Sequence, residues 1–90
     1  MELRDKVIVV TGGASGIGMG LCHRFHEEQV RGLVIADLNG KAASALATEL
    51  NATSFELDVR DESAISAMVA ETESEFGQID LFCSNAGVLD

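Results

Sequence analysis

Proline is absent from this 90-residue chain, and with it any obvious hinge. No repeat, linker or low-complexity segment interrupts the sequence, so residues 1–90 read as one unit. Basic residues are scarce: 6 Lys+Arg against 15 Asp+Glu leave a formal net charge of −9. Nucleic-acid binding depends on Lys and Arg neutralising phosphates, so this balance speaks against a nucleic-acid partner. Cysteine is limited to Cys22 and Cys83, two distant thiols expected on an apolar helix stripe and in a buried strand. Packing is expected of them rather than a disulfide, and with it a reducing compartment. Long apolar runs are missing as well. The charged start, Glu2, Arg4, Asp5 and Lys6, is followed by only four apolar residues, too few for a signal-peptide core or a spanning helix. No membrane partner is expected, and the cytoplasm is the default location. What remains, 47% hydrophobic and 23% charged residues, is the composition of a globular piece.

Within it, Thr11-Gly12-Gly13-Ala14-Ser15-Gly16-Ile17-Gly18 directly follows the apolar run Val7-Ile8-Val9-Val10. A glycine-rich turn therefore joins a buried strand to a helix. Gly12, Gly16 and Gly18 are spaced G-x3-G-x-G, where a missing Cβ permits a tight turn, close approach to a pyrophosphate and packing of helix on strand. The helix N-terminus, with free N–H groups and a favourable dipole, would face the anion without help from a cation, in keeping with the lack of Lys or Arg between Lys6 and Arg24. Neither G-x4-G-K-[ST] nor G-x-G-x-x-G is present, which argues against a P-loop ATPase and for a variant dinucleotide turn. A second apolar run, Gly32 to Ala36, ends in Asp37, nineteen residues beyond Gly18 and close to the spacing of a ribose-binding carboxylate. Asp37 alone could equally be a helix-start residue near Asn39; beside the turn, the ribose reading is preferred.

The remaining chain alternates strands and helices. Ile17, Leu21 and Phe25, broadened by Cys22, form the stripe of a first helix. Ala42, Ala43, Leu46, Ala47 and Leu50 do so for a second, starting at Asn39-Gly40-Lys41. Thr53 to Leu57 reads as a third strand. Asp61 is a plausible N-cap for a third helix that places Ile65, Met68, Val69, Thr72 and Phe76 on one face and stops at Gly77; Asp80 to Ser84 is the fourth strand. His23 and His26, near Glu27, would need a further ligand to hold a metal and read more simply as a solvated face, so no metal is expected. The acidic run Glu71, Glu73, Glu75 could dock a basic partner, but a solvated helix face is the ordinary explanation.

Together these residues resemble the short-chain dehydrogenase/reductase family, whose first strand is followed by T-G-x3-G-x-G. Leu3-Arg4-Asp5-Lys6-Val7 is similar to the family's lead-in, Asp58-Val59 to the pair flanking the adenine, Gly77-Gln78-Ile79-Asp80 to the approach to strand four, and Ser84-Asn85-Ala86-Gly87 to N-N-A-G, with Ser84 in place of the first Asn. The resemblance implies an α/β fold, the N-terminal part of a doubly wound parallel Rossmann sheet with strand order 3-2-1-4. The cofactor-binding residues it implies are Gly12, Ser15, Gly16, Ile17, Gly18, Asp37, Leu38, Asp58, Val59, Asn85, Ala86 and Gly87. A 2′-phosphate would meet the charge of Asp37, and neither Ser15 nor Leu38 offers the Arg or Lys usual in phosphate-preferring members, so NAD is expected over NADP. The family's catalytic Ser, Tyr-x3-Lys and structural Asn belong to a second half; this sequence contains no Tyr and supplies apolar segments for four strands where about six are needed. Residues 1–90 are accordingly expected to be an incomplete NAD(P)-binding domain with no catalytic residue of its own. The implied function is that of the N-terminal piece of an oxidoreductase moving hydride between the cofactor and a small alcohol or carbonyl substrate, homo-oligomeric when complete. A stand-alone dinucleotide-binding module and a non-functional truncated product are the other readings; an extension containing Tyr-x3-Lys would separate them.

Overall fold

The computed structural model describes residues 2–14 and 16–85. Four strands, β1 (Val7–Thr11), β2 (Gly32–Asp37), β3 (Thr53–Glu56) and β4 (Leu81–Ser84), alternate with three helices, α1 (Gly16–Glu27), α2 (Gly40–Leu50) and α3 (Glu62–Phe76). The strands form one sheet in the order β3-β2-β1-β4, parallel at every pairing. This is the expected 3-2-1-4 order of a Rossmann-like α/β fold.

Alternation along the strands divides the core. Ile8, Val10, Leu33 and Ile35 pack with Cys22 and Phe25 of α1 and Leu46 and Leu50 of α2. Val9, Val34 and Ala36 point the other way and pack with Met68 of α3 and Leu57. Both faces of β1 and β2 are thus covered, which is why these strands read as unbroken apolar runs rather than as an alternation. The chain steps from β1 outward to β2 and β3 and then returns to the other side of β1. The strand order therefore reverses between β1 and β4, and the carboxyl ends of the strands at such a switch point are where open α/β sheets bind their ligands.

The helix termini follow from local chemistry. Asn39 caps α2 by accepting from the Ala42 N–H at 3.0 Å, and Asp61 caps α3 by accepting from the Ala64 N–H at 3.2 Å. Gly77, at φ 93°, ends α3 in the left-handed region that favours glycine. One face and two boundaries differ from the sequence reading. Ile17 is not part of the buried stripe of α1: it is 74% exposed, and the buried positions are Gly18, Cys22 and Phe25. At its start the helix packs on the turn after β1 through Gly18, and one residue back is about 100° around the helix, which carries Ile17 off the contact. Strand β3 stops at Glu56, although Leu57 is still buried. Strand β4 begins at Leu81, while Asp80 ties its start to β1: the Asp80 N–H donates to the Val7 carbonyl at 2.8 Å and the Val7 N–H to Asp80 Oδ2 at 2.8 Å.

Candidate functional site

The carboxyl ends of β1, β2 and β4 converge on the glycine turn. Gly12 (φ 67°) and Gly16 (φ 58°) both adopt the left-handed conformation, which an ordinary side chain would resist. Gly18 serves a different end. A Cβ there would overlap the Gly12 carbonyl and come within 2.9 Å of Gly13 Cα, so only glycine lets α1 start this close to the end of β1.

The hydrogen bonds made by residues 11–14 give the turn a polarity. On the carbonyl side, the Thr11 oxygen accepts from the Asn85 N–H at 3.1 Å, the Gly12 oxygen from Asn85 Nδ2 at 3.3 Å, and the Gly13 oxygen from the Cys22 thiol at 3.7 Å. On the amide side, Gly12 and Gly13 donate to the Ala36 carbonyl at 2.7 and 3.4 Å, and Ala14 donates to Asp37 Oδ2 at 3.0 Å. The carbonyls are therefore drawn back into the protein. The first turn of α1, beginning at Gly16, has N–H groups with no acceptor inside the helix. A Cβ on Gly16 would meet nothing within 4 Å, so space lies open over the helix start. Free amides, a positive helix end and open space suit a phosphate group.

Asp37, at the last position of β2, is half-buried beside this turn, and the next residue, Leu38, is 63% exposed. The other oxygen of Asp37 accepts from the Asn39 N–H at 2.9 Å. Asn39, not Asp37, caps α2, which removes the helix-start role the sequence had left open for Asp37. The Leu57 N–H donates to the Asp37 carbonyl at 3.1 Å, and Asp58 follows immediately. Its carboxylate is clamped by Arg60: Oδ1 accepts from the Arg60 backbone N–H at 2.9 Å and Nε at 3.1 Å, and Oδ2 from the terminal guanidinium nitrogen at 2.8 Å. The side-chain hydrogen bonds from Arg60, then its backbone N–H, hold Asp58 well below the usual range, at about 2. Val59 is half-buried against the core of the α3 face.

The structure thus brings together Gly12, Gly16, Gly18, Asp37 and Asn85. Ile17 and Leu38 flank them as exposed apolar side chains. Ser15, Ala86 and Gly87 lie outside the described residues. Three participants were not anticipated: Cys22 as donor to the turn, Arg60 as the clamp on Asp58, and Asp37 as an acceptor for the turn itself. Cys22 is fully buried, and burial, with a smaller contribution from Cys83, pushes its thiol up to about 11. It is a neutral packing group; neither cysteine is in a disulfide. Among the described residues, no group of three or more His, Cys, Asp or Glu side chains could hold a metal ion, and no helix is long and apolar enough to cross a membrane.

A family model described as short chain dehydrogenase matches residues 6–90, and the chain belongs to that family. It is 39% identical over 91 residues to (+)-borneol dehydrogenase 1 of Salvia officinalis, covering 99% of this chain and 35% of the relative. It is 37% identical over 92 residues to galactitol 2-dehydrogenase of Agrobacterium fabrum, covering 100% of this chain and 36% of the relative. Among solved structures, it superposes with TM-score 0.83 and 32% identity on a 3-ketoacyl-(acyl-carrier-protein) reductase from Brucella melitensis complexed with NADH, over 89% of this chain and 34% of that one. A short chain dehydrogenase from Bacillus anthracis superposes with TM-score 0.84 at 29% identity, over 93% of this chain and 35% of that one. The chain therefore spans about a third of the length of the relatives it matches.

Proposed function

We propose that residues 1–90 form the N-terminal, cofactor-holding part of an NAD-dependent oxidoreductase whose full-length form transfers hydride between the nicotinamide and an alcohol or carbonyl. The observation that carries this reading is the polarity of the glycine turn. Its carbonyls at positions 11, 12 and 13 are taken up by protein donors, while the amides at the start of α1 face open space beside a carboxylate at the end of β2. In this reading Gly12, Ser15, Gly16, Ile17 and Gly18 receive the pyrophosphate, Asp37 accepts from the adenosine ribose hydroxyls, and Leu38, Asp58 and Val59 border the adenine. Asn85, Ala86 and Gly87 close the crevice from β4.

When bound, the nicotinamide supplies or accepts the hydride. The chain's own contribution is to bind and orient: the turn fixes the pyrophosphate, and Asp37 fixes the ribose and repels a phosphate on it. The residues that handle protons belong, by the family resemblance, to a segment beyond the N-terminal third. A homo-oligomeric, cytoplasmic protein acting on a small molecule completes the proposal, supported by the resemblance and by the absence of a disulfide. Dissociation constants for NAD and NADP on the full-length protein test it: tighter NAD is expected, and equal or tighter NADP binding would overturn the cofactor assignment. A stand-alone binding module would instead bind NAD with micromolar affinity as residues 1–90 alone.

A further inference from the structure

Three consecutive amides of the glycine turn are anchored to two consecutive residues at the end of β2. Gly12 and Gly13 donate to the Ala36 carbonyl, a backbone group that any residue at position 36 would provide. Ala14 donates to Asp37 Oδ2 at 3.0 Å, and that anchor exists only because the side chain of residue 37 carries an acceptor oxygen. The second oxygen is occupied as well, by the Asn39 N–H at 2.9 Å, and Asn39 in turn caps α2 through the Ala42 N–H. One carboxylate thus joins the phosphate turn, the end of β2 and the start of α2. Ala14 is two residues before the first residue of α1, so its position helps set where the free amides of that helix lie.

We propose that Asp37 is a positioning residue for the phosphate turn in addition to the ribose acceptor of the reading above, on which this inference rests. Each carboxylate oxygen holds one N–H and retains a second lone pair, so both tasks can be performed at once. The consequence concerns cofactor switching. Removing the charge of Asp37 relieves repulsion of a 2′-phosphate and simultaneously releases the turn that must hold the pyrophosphate. A neutral residue that still accepts a hydrogen bond will therefore accommodate NADP better than one that cannot. Asparagine retains one carbonyl acceptor for the two N–H groups; alanine retains none.

The test uses the full-length protein with Asp37→Ala and Asp37→Asn, reading hydrogen exchange at the Ala14 amide without ligand and dissociation constants for NADP. Exchange at Ala14 is expected to rise about tenfold or more in Asp37→Ala and less in Asp37→Asn, because loss of the only acceptor leaves the amide open. NADP is expected to bind the asparagine variant about tenfold more tightly than the alanine variant, a difference of about 1.4 kcal/mol. If Asp37 only selects the ribose, both neutral variants will bind NADP equally and Ala14 exchange will match the unmodified protein; that result overturns the proposal. Should Asp37→Ala fail to fold, Ala14 exchange in Asp37→Asn decides alone, with an unchanged rate overturning it. A wild-type preference for NADP would refute the cofactor assignment while leaving the exchange result standing, so the two failures are distinguishable.

Discussion

Replacing Gly18 with alanine, beside the same change at Gly20, separates close packing from helix propensity within a single helix. Both glycines lie in α1, where alanine is favoured over glycine by up to about 1 kcal/mol. A Cβ on Gly20 meets nothing within 4 Å, whereas one on Gly18 overlaps the Gly12 carbonyl and lies within 2.9 Å of both Gly12 C and Gly13 Cα. Those atoms are backbone, held by bonds to Ala36 and Asn85, and cannot rotate away as a side chain would. Overpacking of this kind costs about 1–3 kcal/mol. Gly20→Ala is therefore expected to stabilise by about 0.5–1 kcal/mol and Gly18→Ala to destabilise by about 1–2 kcal/mol after its propensity gain. Thermal melts of the full-length protein should place the two variants roughly 5–10 °C apart. Gly18→Ala should also weaken NAD, because relieving the overlap moves the turn. A Gly18→Ala protein as stable as Gly20→Ala, with unchanged NAD affinity, would refute the packing argument.

Other consequences are open to measurement. Asp58 should titrate near 2 by NMR, and Arg60→Gln should return it towards the ordinary 3.8; because the folded value is the lower one, the stabilising contribution is present above the unfolded value and lost as pH falls towards 2. Cys22, pushed up to about 11 by burial, should resist thiol reagents at pH 8 until the protein is unfolded; with the folded value raised, its contribution to stability is complete below the ordinary 9.0 and declines as pH rises towards 11. Residues 1–90 expressed alone should self-associate and show no dehydrogenase turnover: β4 pairs only with β1 among the described residues, Phe82 on it is 40% exposed, and no tyrosine is present. A monodisperse monomer in sedimentation, or turnover that follows the protein through purification, would contradict this.

Local patterns made the elements readable. The unbroken apolar runs of β1 and β2 signalled strands covered on both faces, and Asn39, Asp61 and Gly77 marked helix ends by side-chain or backbone preferences acting within a turn. The strand order came instead from the family resemblance, since nothing local specifies that β4 returns to the far side of β1. Ile17 shows where periodicity misleads: a stripe counted by apolarity includes it, but the first turn of the helix packs on the glycine turn through Gly18, which carries no hydrophobic signal. The site was legible as a set of positions and not as a set of bonds. The donors to the turn and its anchors come from Cys22, Asn85 and Asp37, the last two separated from their partners by 73 and 23 residues, and only the folded chain brings such pairs together. The Arg60 clamp is local, two residues from Asp58, yet an exposed arginine beside an aspartate has many alternatives in sequence.

Amide hydrogen exchange on the full-length protein, with and without saturating NAD, tests most directly whether the glycine turn is where the dinucleotide binds. Slowed exchange at Gly16, Ile17 and Gly18, at the start of α1, is the expected result. Unchanged exchange there, with protection appearing instead at the opposite end of the sheet around Gln29 and Asn51, would contradict it.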